Sequence, residues 1–130
     1  MSKNDPIRTL TIAEPIAPAV VPLQDTETTI VAACNPGWAQ YIDSVNIVEV
    51  AGVGGTFNLY LKETGVAAAL ANAICVEVAL AANTIYTLPI GNMVLPDGVE
   101  ITGLSDVADQ INVTVTGRYI VQPAVELIHG

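Results

Sequence analysis

The stretch Ile111-Asn-Val-Thr-Val-Thr-Gly-Arg-Tyr-Ile-Val121 decides the fold. Its apolar and polar residues alternate with a period of two, the pattern of a strand buried on one face. Ile111, Val113, Val115 and Tyr119 are expected inward, and Asn112, Thr114, Thr116 and Arg118 outward. Gly117 falls on the inward register, where it predicts a bulge or a close backbone approach. Working back along the chain, further strands are expected at Thr28–Cys34, Tyr41–Val50, Thr56–Lys62, Ile74–Leu80, Thr84–Ile90 and Val99–Leu104.

Two of these carry details that a structure can check. In Tyr41–Val50 the alternation is impure: Ile42, Val48 and Val50 face one way, Val45 and Ile47 the other. This predicts a strand covered on both sides. In Ile74–Leu80 the inward face is read as Ile74, Val76, Val78 and Leu80, with Cys75 and Glu77 opposite. Thr56–Lys62 places Phe57, Leu59 and Leu61 inward and Thr56, Asn58, Tyr60 and Lys62 outward. Thr84–Ile90 groups Tyr86, Leu88 and Ile90. Turn residues separate the strands at Asn35-Pro36-Gly37, Gly52–Gly55, Gly65, Asn83, Gly91-Asn92, Pro96-Asp97-Gly98 and Ser105-Asp106. Val66–Ala73 is alanine-rich and is expected to form a short helical turn or a loop.

Composition agrees with this pattern. Val, Ile and Thr make up almost a third of the 130 residues, and these side chains suit pleated sheets. The expectation is an all-β, two-sheet antiparallel β-sandwich, jelly-roll or Greek-key like, over residues 27–130. Residues 1–26 differ. They hold prolines at 6, 15, 18 and 22, half of the eight in the chain. Proline removes an N–H and keeps its predecessor extended. Between the prolines lie Ile7, Leu10, Ile12, Ile16, Val20, Val21 and Leu23. These are the candidate interface residues of an extended N-terminal arm, together with Trp38. Such an arm either reaches a neighbour, spanning up to about 85 Å at ~3.3 Å per residue, or folds back as an edge strand.

Charge and chemistry exclude several classes. Thirteen acids against four bases give a net charge of −9, so a phosphate-neutralising nucleic-acid binder is not expected. The longest apolar run, Val66–Ala71, is far short of a membrane-spanning helix, which takes about 20 residues. The opening Met1-Ser-Lys-Asn-Asp-Pro6 shows no export signal. Cys34 and Cys75 are therefore read as reduced, buried thiols. His129 is the one histidine, near the end of the chain, which disfavours a Ser-His-Asp or Cys-His site and zinc alike. Asp106 with Asp109, and Asp97 with Glu100, are the nearest carboxylate pairs. They read as turn formers rather than as a glycosidase pair or a calcium loop. Gly52-Val-Gly-Gly55 lacks the Lys-Ser/Thr of a phosphate loop. No enzyme and no cofactor are expected.

Several stretches carry a family resemblance: Thr29-Ile-Val-Ala-Ala-Cys-Asn-Pro-Gly-Trp-Ala-Gln-Tyr-Ile-Asp-Ser-Val-Asn-Ile-Val-Glu-Val50, Gly55–Lys62, Asn83–Ile90, Met93–Ile101 and Asp109–Ile120. In strand and turn pattern they resemble small virion structural proteins of tailed bacteriophages, in particular head decoration (cement) proteins. The resemblance implies a protein made in the host cytoplasm that sits on the capsid exterior. It implies the major capsid protein or other virion proteins as partners, bridging of shell subunits, and homo-oligomers, with a trimer favoured. It implies no catalytic residues. Two alternatives stand beside it: a neck or tail adaptor or fibre-base component, and a carbohydrate-binding jelly roll using Trp38.

Overall fold

A computed structural model describes residues 13–16, 19–90 and 93–121. Among the described residues ten strands form: β1 (Ala13–Pro15), β2 (Ala19–Pro22), β3 (Thr28–Val31), β4 (Trp38–Glu49), β5 (Gly55–Glu63), β6 (Ala73–Leu80), β7 (Ile85–Thr87), β8 (Met93–Pro96), β9 (Val99–Ser105) and β10 (Ile111–Val121). The first sheet runs β1–β10–β4–β7, with β2 also on β10 and β8 also on β4; the second runs β3–β9–β5–β6. All pairings are antiparallel. Most connections cross between the sheets, and the strand order is that of a jelly roll. The predicted β-sandwich is the fold of this chain.

The ladder between β10 and β4 is the spine, running from Ile111 opposite Glu49 to Val121 opposite Trp38. Ile111, Val113 and Val115 point into the core as their alternation requires. The register shifts between Thr116 and Gly117. A Cβ at Gly117 would collide with the carbonyl oxygen of Tyr41, so both expectations for this glycine hold.

That shift also corrects the reading of β4. The extra residue at Asp43 moves the phase, so Ile42 is buried on one side of it and Val45, Ile47 and Glu49 on the other. Val50 is exposed. The broken alternation records a bulge within one inner face and not a strand covered twice. A similar correction applies to β6. Val78 pairs with Phe57 and Cys75 with Leu59, so two residues of β6, Val76 and Glu77, oppose Asn58. Glu77 takes φ +45°, and its N–H donates to Asn58 Oδ1. Cys75 thereby turns inward and Val76 outward.

The core joins Ile42, Val45, Ile47, Ile111 and Val113 of one sheet to Phe57, Leu59, Cys75 and Ile101 of the other. Burial of these side chains is the main force holding the sheets together, at about 1.5–3 kcal/mol per large side chain. Phe57 packs on Tyr86 with ring centroids 5.8 Å apart. Tyr60 and Lys62 do leave the inner face, yet both are buried. The loop after β5 passes over them, and Lys62 Nζ donates to the Val66 carbonyl at 2.7 Å. Within Val66–Ala73 the helical element is one 3-10 turn, Leu70–Asn72.

Both edges of the first sheet are built from two short strands. β1 and β2 share one side of β10, and β7 and β8 share one side of β4. Prolines punctuate each edge: Pro15 and Pro22 on one, Pro89 and Pro96 on the other. Proline cannot donate to a ladder, so it is confined to edges and interrupts them. Sequence reading missed β8, because Pro96 and the Pro-Asp-Gly turn masked its four residues. For Ala13–Pro15 and Ala19–Pro22, of the two expectations for the arm, the one that holds is folding back as edge strands on the sandwich.

Candidate functional site

Between the β1–β2 edge and the facing edge strand β3 the two sheets do not close. Ile16, Val21, Ile30, Val31, Ala32, Val115 and Tyr119 line a cavity of about 90 Å³. Tyr119 and Ala32 also line a second space of about 320 Å³, with Ala33, Cys34, Asn35 and Trp38. The first is apolar; the second, which shares Ala32 and Tyr119 with it, is of mixed polarity, with Asn35 and Cys34 in its wall. The cause of this groove is local: β3 ends at Val31, and the small side chains of Ala32 and Ala33 follow. Gln40, fully buried beneath, fixes this stretch by donating from Nε2 to the Ala32 carbonyl at 2.9 Å.

Trp38 stands at the end of the groove. Its ring meets Tyr119 edge to face, 6.1 Å between centroids and 82° between planes. It is half-buried as a groove wall and does not project from a loop tip. The other candidate interface residues divide. Ile16 and Val21 line the groove. Val20 points away, 61% exposed. Leu23 is completely buried in the chain's own core, so it has no surface to offer a partner. Ile7, Leu10 and Ile12 lie outside the described residues.

Both cysteines are free thiols. Burial raises the pKa of Cys34, which lines the groove, and of Cys75, which sits in the core. A raised thiol pKa means little thiolate and low nucleophilicity.

The carboxylates are bound up in the chain's own loops. Glu49, buried at the end of β4, accepts from the N–H groups of Gly52 at 2.9 Å, Gly54 at 3.1 Å and Asn83 at 2.9 Å. Gly52 and Gly54 take φ of +80° and +81°, a left-handed geometry open to glycine that turns successive N–H groups toward one acceptor. Bonds from Asn83 first, then from the glycine loop, hold the Glu49 carboxyl below its ordinary pKa. Asp106 Oδ1 accepts from the Thr56 N–H at 3.1 Å. Asp109 Oδ1 accepts from Gln24 Nε2 at 2.7 Å. Asp97 Oδ2 accepts from the Gly37 N–H at 3.1 Å, while Glu100 pairs with Lys62 at 2.9 Å. Each of these four carboxylates is thus engaged by a different partner. Among the described residues, no three His, Cys, Asp or Glu side chains gather as metal ligands.

Sequence reading missed one cluster. Lys62 Nζ lies 3.0 Å from Glu27 and 2.9 Å from Glu100 on the outer face of the second sheet. Thr102 donates to Glu27 at 2.7 Å. The Thr102 bond, then Lys62, lowers the pKa of Glu27; Glu100, then Glu27, raises that of Lys62. The cluster ties the segment before β3 to β5 and β9. The outward lysine near the end of β5 was the available signal.

No family model matches the chain, and the search of curated proteins returns no match. Among solved structures, a protein of Bacillus endospore appendages, described as a novel family of disulfide-linked pili, superposes with a TM-score of 0.52. Identity is 12%, over 85% of this chain and 88% of that one. This likeness establishes a shared fold. Infectious bursal disease virus Gx strain gives a TM-score of 0.42 at 12% identity, covering 92% of this chain and 44% of the other. The Tobacco streak virus coat protein gives 0.41 at 17% identity, covering 82% and 88%.

Proposed function

We propose that this chain is a non-enzymatic structural subunit of a virion, decorating a bacteriophage head and bridging neighbouring shell subunits. The observation that carries the reading is the jelly-roll sandwich in which Glu49, Asp97 and Asp106 hold the chain's own loops while an apolar cavity lies between the β1–β2 edge and β3. Apolar surface of this kind suits a partner protein. The net charge of −9 disfavours contact with packaged DNA and suits the outside of a shell. The strand and turn pattern resembling head decoration proteins supports the same reading.

The test is the protein's copy number in purified particles, measured by quantitative mass spectrometry. Decoration requires hundreds of copies. About 6 to 12 copies, the number of a closed ring, would move the protein to the neck or tail. Absence from particles would refute a virion role.

A further inference from the structure

We infer that the bulge at Val76-Glu77 is a guard: it closes the edge of β6 to pairing with β6 of a second copy of this chain. The inference is independent of the virion reading and is tested without particles.

The edge is one that needs guarding. Among the described residues β6 pairs with β5 alone. The other side of its backbone is therefore open, the template on which strands of neighbouring molecules add. Eight residues make it the longest edge strand described; β1, β2, β3, β7 and β8 have three or four. Prolines interrupt β1, β2 and β8, and β6 holds none. Its sequence, Ala73-Ile-Cys-Val-Glu-Val-Ala-Leu80, is apolar at seven of eight positions. Short apolar segments of high β-propensity, free of proline, pair with copies of themselves.

Glu77 stands where it breaks that tendency. From Thr64 to Pro96 it is the one charged residue, and it is exposed in the middle of the strand. A lone charge there opposes burial against a second apolar strand.

The backbone at Glu77 adds a geometric block. Three non-glycine residues among those described take positive φ: Glu77, Asn83 and Asp109. Asn and Asp adopt that region readily; glutamate does not. The chain thus keeps a strained residue at the centre of an open edge, which calls for a reason. The bulge turns the Glu77 N–H back to Asn58 Oδ1 of β5, out of the outward row of donors and acceptors that a second strand would meet. The register to β5 shifts here and again between Cys75 and Ala73. Val78–Leu80, three residues, is the longest regular piece left, below the five or so residues of a usual strand. Without Glu77, Val76 would stand opposite Asn58, and Cys75–Leu80 would become one regular run.

The test removes the bulge. Full-length C34S chain carrying A79C is prepared with and without deletion of Glu77, and a short bis-maleimide linker is added. Ala79 is exposed on β6, and Cys75 is buried. The deletion chain is expected to give about tenfold or more covalent dimer, with a matching rise in mass by light scattering. Equal cross-linking in the two chains overturns the proposal, as does a deletion chain that melts cooperatively and does not cross-link. Asn58→Ala and Asn58→Asp, each in the A79C/C34S chain, decide the same point at unchanged length should the deletion chain not fold. Alanine removes the acceptor of the Glu77 N–H, and aspartate keeps it. Cross-linking that rises with N58A and not with N58D is expected; any other pattern overturns the guard.

Discussion

The N–H of Leu23 donates to the carbonyl of Ile111 at 2.8 Å, joining the end of the proline-rich segment to the start of the central strand β10. The Leu23 carbonyl in turn accepts from the Asp109 N–H at 2.9 Å. Leu23 is 0% exposed, so Leu23→Ala should leave a cavity and destabilise the chain by about 2–5 kcal/mol. Val20→Ala, three residues earlier and exposed, should change stability by less than about 0.5 kcal/mol. Urea midpoints of the two variants check the contrast. Equal effects would mean that the segment does not dock as described.

Gly117 makes a second prediction. Any Cβ there meets the Tyr41 carbonyl, and the β10–β4 ladder must shift to admit it. Gly117→Ala should cost roughly 1–3 kcal/mol although alanine is the better strand residue of the two. A neutral melt would show that the bulge relaxes freely.

Glu49 governs acid stability. Its folded pKa lies below the ordinary 4.5. Its contribution is therefore fully present above that value and is lost as pH falls through the folded pKa. Glu49→Gln should lower Tm at pH 7, and the gap to the unaltered chain should narrow as pH drops below about 4.5. Thermal melts across pH 3–7 decide this; a constant gap would point to shape, not charge.

Lys62 governs the opposite end of the scale. Its folded pKa is raised above 10.5, so its contribution is complete below 10.5 and is lost as pH rises through the folded value. Lys62→Met should lower Tm at neutral pH by leaving Glu27 and Glu100 facing each other without their cation. Adding Glu27→Gln and Glu100→Gln should recover part of the loss. If the triple variant melts no higher than the single one, repulsion between the acids is not the cause.

Strands with clean alternation were legible from sequence because one face meets water and the other the core. Ile111–Val121 was read to its last residue, bulge included. Where a bulge changes phase in a strand with no glycine of its own at that point, as at Asp43 opposite Gly117 and at Val76-Glu77, a period-two reading puts the wrong side chains inward. The edge strand β8 was the other loss, and the edge pairing of β1 and β2 was one of two open expectations. Pro15, Pro22, Pro89 and Pro96 look like breaks locally, and pairing to a long neighbour, which overrides them, is a non-local fact. Of the groove, the sequence offered Ile16, Val21 and Trp38. Tyr119 was read as core and Cys34 as a buried thiol, because the gap exists only once two sheet edges face each other.

The adjacency of Ala13 and Ile120 has a mechanical consequence. The described chain enters and leaves at the same end of the sandwich, on neighbouring strands. Tension applied to its two ends peels β1 from β10 one hydrogen bond at a time, the weak mode of loading. Tension between the arm and the Glu49 loops at the far end shears the whole β10–β4 ladder at once. A molecule held in that second way resists force along its length, while one tugged by both ends gives way first at the arm.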